Sequence, residues 1–234
     1  MGRIKIDYGI DLGTTNSALA VLNKGEIEVK NIDRSNIVPS CIAYNRRGSV
    51  RSGLTAIGMD PNFLEFKRDM GTDWSDKKHP MLDESVNAED LSAEILKKLK
   101  GEVTEEQFKS VVITVPAMFD MSQVAATKRA GEMAGFEQVE ILMEPVAAAF
   151  NYGFVHNIQD GKFVVFDFGG GTFDAALVKS EGGVMSVVSS EGDNFLGGKD
   201  LDIVVVEKFL LPLIKESYDI DNLDAGSLVF LKLN

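Results

Sequence analysis

Apolar and polar positions alternate near the start of the chain. Ile4, Ile6, Tyr8 and Ile10 are separated by polar or small residues, which is the period of a β-strand. The pattern continues over residues 17–22 and 27–32 and is broken at Asn23-Lys24-Gly25, a hairpin turn. Residues 38–44 predict a further strand, and residues 62–70, after Pro61, a short helix. Over residues 90–100, Leu91, Ile95, Leu96 and Leu99 share one helical face, with Gly101 just beyond. Residues 109–115 predict a buried strand. Asp120 and Gln123 form a capping-box pair that opens a helix running to Gly135. A short strand over 139–143 precedes a helix with Pro145 at its first position, extending through Ala147-Ala148-Ala149 to about Tyr152. Residues 163–168 and 173–178 predict two strands around a glycine turn, and 184–189 a third. Residues 200–217 predict a long apolar helix that Pro212 kinks or breaks. Residues 69–85, with Trp74, His79 and Pro80, are irregular and polar, and residues 155–161 give the best boundary between two halves.

One pattern occurs twice. Residues 8–22 read YGIDLGTTNSALAVL and residues 164–178 read VVFDFGGGTFDAALV. Each is an apolar strand, an Asp, a glycine-rich turn, a Thr and a second apolar strand. In the first, Gly13 lets the backbone approach a ligand. The N–H groups after it can bind an anion, and the hydroxyls of Thr14 and Thr15 add donors. Asp11, at a strand end, is placed to hold Mg²⁺ through water, because that ion keeps its waters. Alone, this loop reads as an ordinary hairpin with an Asp-stabilised turn. In the second, Gly169-Gly170-Gly171 between buried strands weakens the sheet, which marks a close approach of backbone or ligand. Together the loops predict two similar lobes facing each other across a cleft. Neither is a Walker A or a G-x-G-x-x-G loop: Gly198-Lys199 is followed by Asp200.

Composition narrows the function. The 234 residues are 44% hydrophobic and 26% charged, with 24 basic against 36 acidic residues, a formal charge of −12. That balance argues against nucleic acid as main partner, but not against a nucleotide held by backbone N–H groups and Mg²⁺. The lone cysteine, Cys41, excludes an internal disulfide and fits a reducing compartment; it reads as a small buried hydrophobe. No signal peptide and no apolar run of transmembrane length are present, so the expected location is the cytoplasm, with no membrane partner. His79 and His156 read as surface residues rather than zinc ligands.

DLGTTNS and FDFGGGTFD resemble the paired phosphate motifs of the actin, sugar-kinase and chaperone ATPase superfamily. Within that group they are similar to the heat shock protein 70 family of DnaK-type chaperones. So are VVITVPAMF with the SQ, ATK and AG elements after it, EPVAAAFNYG and GDNFLGGKDLD, in family order along nearly the whole chain. The resemblance implies an α/β, actin-like ATPase (ribonuclease H-like) fold of two lobes, each a mixed sheet flanked by helices. Lobe I would span 1–157, with a trimmed outer subdomain at about 35–108, and 158–234 would begin an incomplete lobe II.

It also implies roles. Gly13, Thr14, Thr15 and Asn16 would wrap the β-phosphate side of ATP or ADP. Gly169, Gly170, Gly171 and Thr172 would form the loop on the γ-phosphate side. Asp11 and Asp167 would anchor hydrated Mg²⁺. Lys67 would neutralise the γ-phosphate and place the attacking water, which Glu144 would help orient; Asp167 and Thr172 would share in catalysis. From spacing alone, Lys67 reads as a solvated helix lysine and Glu144 as an acid favoured by a helix start. The implied activity is slow ATP hydrolysis by positioning and charge neutralisation. The implied partners are unfolded client peptides and a co-chaperone. Val124 stands where the family usually has Arg, Lys199 where it has an acid, and Val146 where it has Thr, while Pro116 is kept. The expected later segments of lobe II would clamp the adenine and ribose. Without them this chain is expected to bind ATP poorly, to expose Ile203, Val204, Phe209 and Leu210, and to self-associate. The alternatives are an actin-like polymerising ATPase and a sugar kinase, the latter without a convincing sugar-binding acid and base.

Overall fold

The computed structural model describes residues 8–45, 48–72, 86–103 and 109–217. Ile4 and Ile6 lie outside the described residues; from Tyr8 on, the alternating amino-terminal pattern folds as β1 (Tyr8–Leu12), β2 (Asn16–Asn23) and β3 (Glu26–Val29), joined as antiparallel neighbours. Lys24 and Gly25 both take positive φ at the β2–β3 turn, the geometry that matches strand twist in a two-residue hairpin. The expected strand over 38–44 is two short ones, β4 (Val38–Pro39) on β2 and β5 (Ile42–Tyr44) in another sheet. Between them, Ser40 bonds to the first glycine loop: its N–H donates to Thr15 O at 2.8 Å and its hydroxyl to Gly13 O at 2.7 Å.

β5 lies between β6 (Val50–Ser52) and β7 (Asn62–Phe63). The expected helix over 62–70 is therefore corrected. Its first residues join this sheet, Glu65 adopts a left-handed φ of 57°, and only a 3-10 turn, Phe66–Asp69, remains. α1 (Ala88–Gly101) is closed by a reciprocal Asn87–Asp90 capping box, and its apolar face joins the main core.

β8 (Ser110–Val115), α2 (Met121–Met133) and β9 (Gln138–Met143) form a crossover unit with β8 parallel to both β1 and β9. α2 opens on the expected Asp120–Gln123 box. The sheet order β3-β2-β1-β8-β9 puts β1 at its centre. Ile10, Leu12, Leu19 and Ile113 from this sheet pack with Leu91, Ile95, Leu96 and Leu99 of α1 and Ala126 and Ala130 of α2.

α3 (Glu144–Val155) starts immediately after β9, with Pro145 in its first turn. It touches β8 and β9 as well as a second sheet of β10 (Gly161–Phe168), β11 (Phe173–Glu181) and β12 (Val184–Asp193). That sheet is an antiparallel meander in which Asp167 pairs with Asp174. One face packs Ala176 and Val178 on Ala149 of α3. On the other, Val164 and Phe166 are 79% and 70% exposed. The chain closes with α4 (Gly198–Val205), a π turn (Val206–Leu210) and α5 (Leu211–Ser217). The break expected at Pro212 takes this form: Leu211 N–H reaches Val206 O, five residues back, at the position immediately before the residue that lacks an N–H. Val204, Phe209 and Leu210 are exposed and Ile203 is half-buried. Trp74, His79 and Pro80 lie outside the described residues.

Candidate functional site

Both glycine loops sit at strand ends and meet. The β1–β2 loop carries Gly13, Thr14, Thr15 and Asn16; the β10–β11 loop carries Gly169, Gly170, Gly171 and Thr172. A Cβ at Gly13 would overlap the Asn16 carbonyl, and one at Gly170 would overlap the Thr15 hydroxyl. Glycine is required at both positions by close approach, within one loop and between the two. The second loop closes on itself through Gly169 N–H donating to Thr172 O at 2.9 Å.

A cavity of about 390 Å³ lies between them. Asp11, Gly13, Thr14, Thr15, Asn16, Lys67, Glu144, Asp167, Gly169, Gly170 and Thr172 are all on its wall. Gly171 is the predicted loop residue that is not; it is buried where a Cβ would press on Thr14 and Arg68. The Thr14 hydroxyl is buried without a hydrogen-bond partner, a condition normally met by a bound group.

Lys67 departs from its spacing-based reading. It sits in the 3-10 turn, 3% exposed, with Nζ donating to Glu144 Oε1 at 2.7 Å and 5.7 Å from the Phe119 ring centroid. Glu144 opens α3, so the helix-start reading also holds. Burial holds the Glu144 carboxyl above its usual range despite the neighbouring Lys67 charge, and the charges of Asp11 and Asp167 push the same way. Asp167 is raised by burial and then by Asp11, against the pull of Lys67. The wall therefore concentrates carboxylates around one buried ammonium, an arrangement that favours added positive charge. Among the described residues no group of three or more His, Cys, Asp or Glu could hold a metal ion directly.

Six residues at or beside the site were not foreseen as part of it. Thr114, at the end of β8, donates its hydroxyl to Asp11 Oδ1 at 3.1 Å. Asp174, 2% exposed, faces Asp167 across the β10–β11 register; burial and the Asp167 charge raise its carboxyl. The symmetry of FDFGGGTFD about its glycines was the available signal. Ala147 and Ala148 of α3 complete the wall. Arg68 and Asp200 flank the second loop from opposite sides of the chain, a pairing no local pattern reveals. His156 is exposed beside Tyr152, and Cys41 is buried against Ala43 and Ala56, which pushes its thiol up to about 11. No helix among the described residues is long and apolar enough to cross a membrane.

The family model described as Hsp70 protein matches residues 7–233. Among curated relatives, the chaperone protein DnaK of Mycoplasmopsis pulmonis is 39% identical over 225 residues, covering 93% of this chain and 37% of that protein. The DnaK proteins of Thermosipho melanesiensis and Thermosipho africanus are 37% and 38% identical over 223 residues, each covering 91% of this chain and 37% of the relative. The chain thus spans a little over a third of the length of these relatives. The family foreseen from the motifs is the family found, and the actin-like polymerising alternative is not favoured. On the match across nearly all its residues, this chain belongs to the Hsp70 protein family.

Proposed function

We propose that this chain is the ATP-binding, slowly ATP-hydrolysing part of a DnaK-like molecular chaperone. One observation carries the reading: both glycine–threonine loops, both strand-end aspartates and the Lys67–Glu144 pair line the same cavity. In this reading Gly13, Thr14, Thr15 and Asn16 hold the β-phosphate side, and Gly169 to Thr172 the γ-phosphate side. The partnerless Thr14 hydroxyl and the glycine cradle fit a phosphate. Asp11 and Asp167 fit a hydrated Mg²⁺, since two carboxylates suit an ion that keeps most of its waters. When bound, that ion supplies positive charge to the phosphates. Lys67 supplies a second cation from the chain itself, and Glu144 orients water at the terminal phosphate. Positioning and charge neutralisation then suffice for phosphoryl transfer.

The same reading divides the chain into a lobe at 1–157, its outer part at about 35–108, and the beginning of a second lobe at 158–234. Client peptides, a co-chaperone and a cytoplasmic location belong to the same proposal, which the chaperone name of the relatives supports only in its general class. The exposed Val164, Phe166, Phe209 and Leu213 support self-association of the chain taken by itself, which sedimentation would show as a concentration-dependent mass.

Single-turnover hydrolysis of Mg-ATP by the full-length protein tests the assignment. Lys67→Ala is expected to lose roughly 10²–10³ in rate with nucleotide binding largely kept, and a loss under about threefold removes Lys67 from the chemistry.

A further inference from the structure

The second glycine loop is held by three consecutive carbonyl oxygens. Gly198 N–H donates to Gly169 O at 2.9 Å and Lys199 N–H to Gly170 O at 3.1 Å, both from the start of α4. The third is taken by a side chain: Arg68 Nε donates to Gly171 O at 2.9 Å from 103 positions earlier in the chain. In a trans peptide the C=O of one residue and the N–H of the next point in opposite directions. Drawing these carbonyls away from the cavity therefore turns the N–H groups of Gly170, Gly171 and Thr172 the other way. Successive N–H groups arranged so form an anion-binding concavity.

The guanidinium is itself fixed. Its Nη2 lies 2.5 Å from Asp200 Oδ2 and its Nη1 3.0 Å from Glu65 Oε2. Asp200 Oδ2 also accepts Gly197 N–H at 2.8 Å, so the carboxylate that grips Arg68 also caps α4. Lys199 pairs with Glu65, adding a second link between the 3-10 turn and α4. The Arg68 side chain is only 13% exposed and is not on the cavity wall. Whatever it does for a ligand it does through the loop.

We propose that Arg68 is a positioning residue for the γ-phosphate: with Asp200 and Glu65 it locks the Gly171 carbonyl outward and so presents the loop N–H groups inward. This rests on the nucleotide reading above. ATP, which alone reaches the second loop with a third phosphate, depends on Arg68 more than ADP does.

The test is equilibrium binding of Mg-ATP and Mg-ADP to the full-length wild type, Arg68→Ala, Arg68→Lys and Asp200→Asn, with melting temperatures alongside. Loss of one charge-assisted hydrogen bond is expected to shift the ATP-to-ADP affinity ratio against ATP by roughly tenfold in Arg68→Ala. Arg68→Lys keeps a cation opposite Asp200 but lacks the planar fork; it is expected to recover melting temperature and not the ratio, a split that a purely structural role does not produce. If Arg68→Ala does not fold, Asp200→Asn carries the test with a smaller shift of the same sign. A ratio within about twofold of wild type in the folded variants, against tight wild-type binding, overturns the positioning role and leaves the nucleotide site standing. Wild-type protein that binds neither nucleotide overturns both.

Discussion

Lys67 Nζ and Glu144 Oε1 lie 2.7 Å apart, although the residues are 77 positions apart in sequence. Their side chains are 4% and 14% exposed, so both charges are largely withdrawn from bulk water. Removing one member of a buried pair leaves the other uncompensated, typically at a cost of about 3–5 kcal/mol, whereas removing both relieves much of that. Glu144→Leu is therefore expected to lower stability by about 3 kcal/mol. Lys67→Met with Glu144→Leu together should lose less than the sum of the single variants. Urea denaturation of the four proteins in the cycle gives the coupling, and additive effects would contradict the pairing.

The Asp167 carboxyl is held above the ordinary carboxylate range, first by burial and then by the Asp11 charge. A raised folded-state pKa means the native protein binds this proton more tightly than the unfolded chain. The group's contribution to stability therefore grows as pH falls through the folded value, and at neutral pH the charged form is a liability in ligand-free protein. Asp167→Asn is expected to raise the melting temperature at neutral pH without ligand. It should also remove this carboxyl's share of the stability change on acidification, which falls between its raised folded-state value and the ordinary Asp value of about 3.9. Thermal melts across pH check this; a ligand-free Asp167→Asn protein that is less stable than wild type at neutral pH contradicts it.

Much of this site was legible because its chemistry is local. Asp11 with Gly13 to Asn16, and Asp167 with Gly169 to Thr172, each lie in one short stretch with a strand period on either side. The folds of 163–178 and 120–133 followed from alternation and from a capping pair. What was not legible depends on distant partners. Residues 38–44 split because Ser40 is claimed by the carbonyls of Gly13 and Thr15. Residues 62–70 do not form a helix because Glu65 turns left-handed and β5 captures Asn62 and Phe63. Lys67 reads as a solvated lysine from its neighbours; Glu144 and Phe119 bury it. Asp174 needed the hairpin register, and Arg68 needed α4.

Calorimetric titration of Mg-ATP into the full-length protein, wild type against Gly170→Ala, tests the central claim most directly. Gly170 has no room for a Cβ against Thr15, so the added methyl must part the two loops while the cores on Leu96 and Ala176 stay away from the change. The account predicts saturable one-to-one binding to wild type and a loss of roughly tenfold or more in affinity for the variant, comparable to losing one strong polar contact at the phosphates. Absent wild-type binding, or equal affinity in a folded Gly170→Ala protein, would contradict a phosphate site between the two loops.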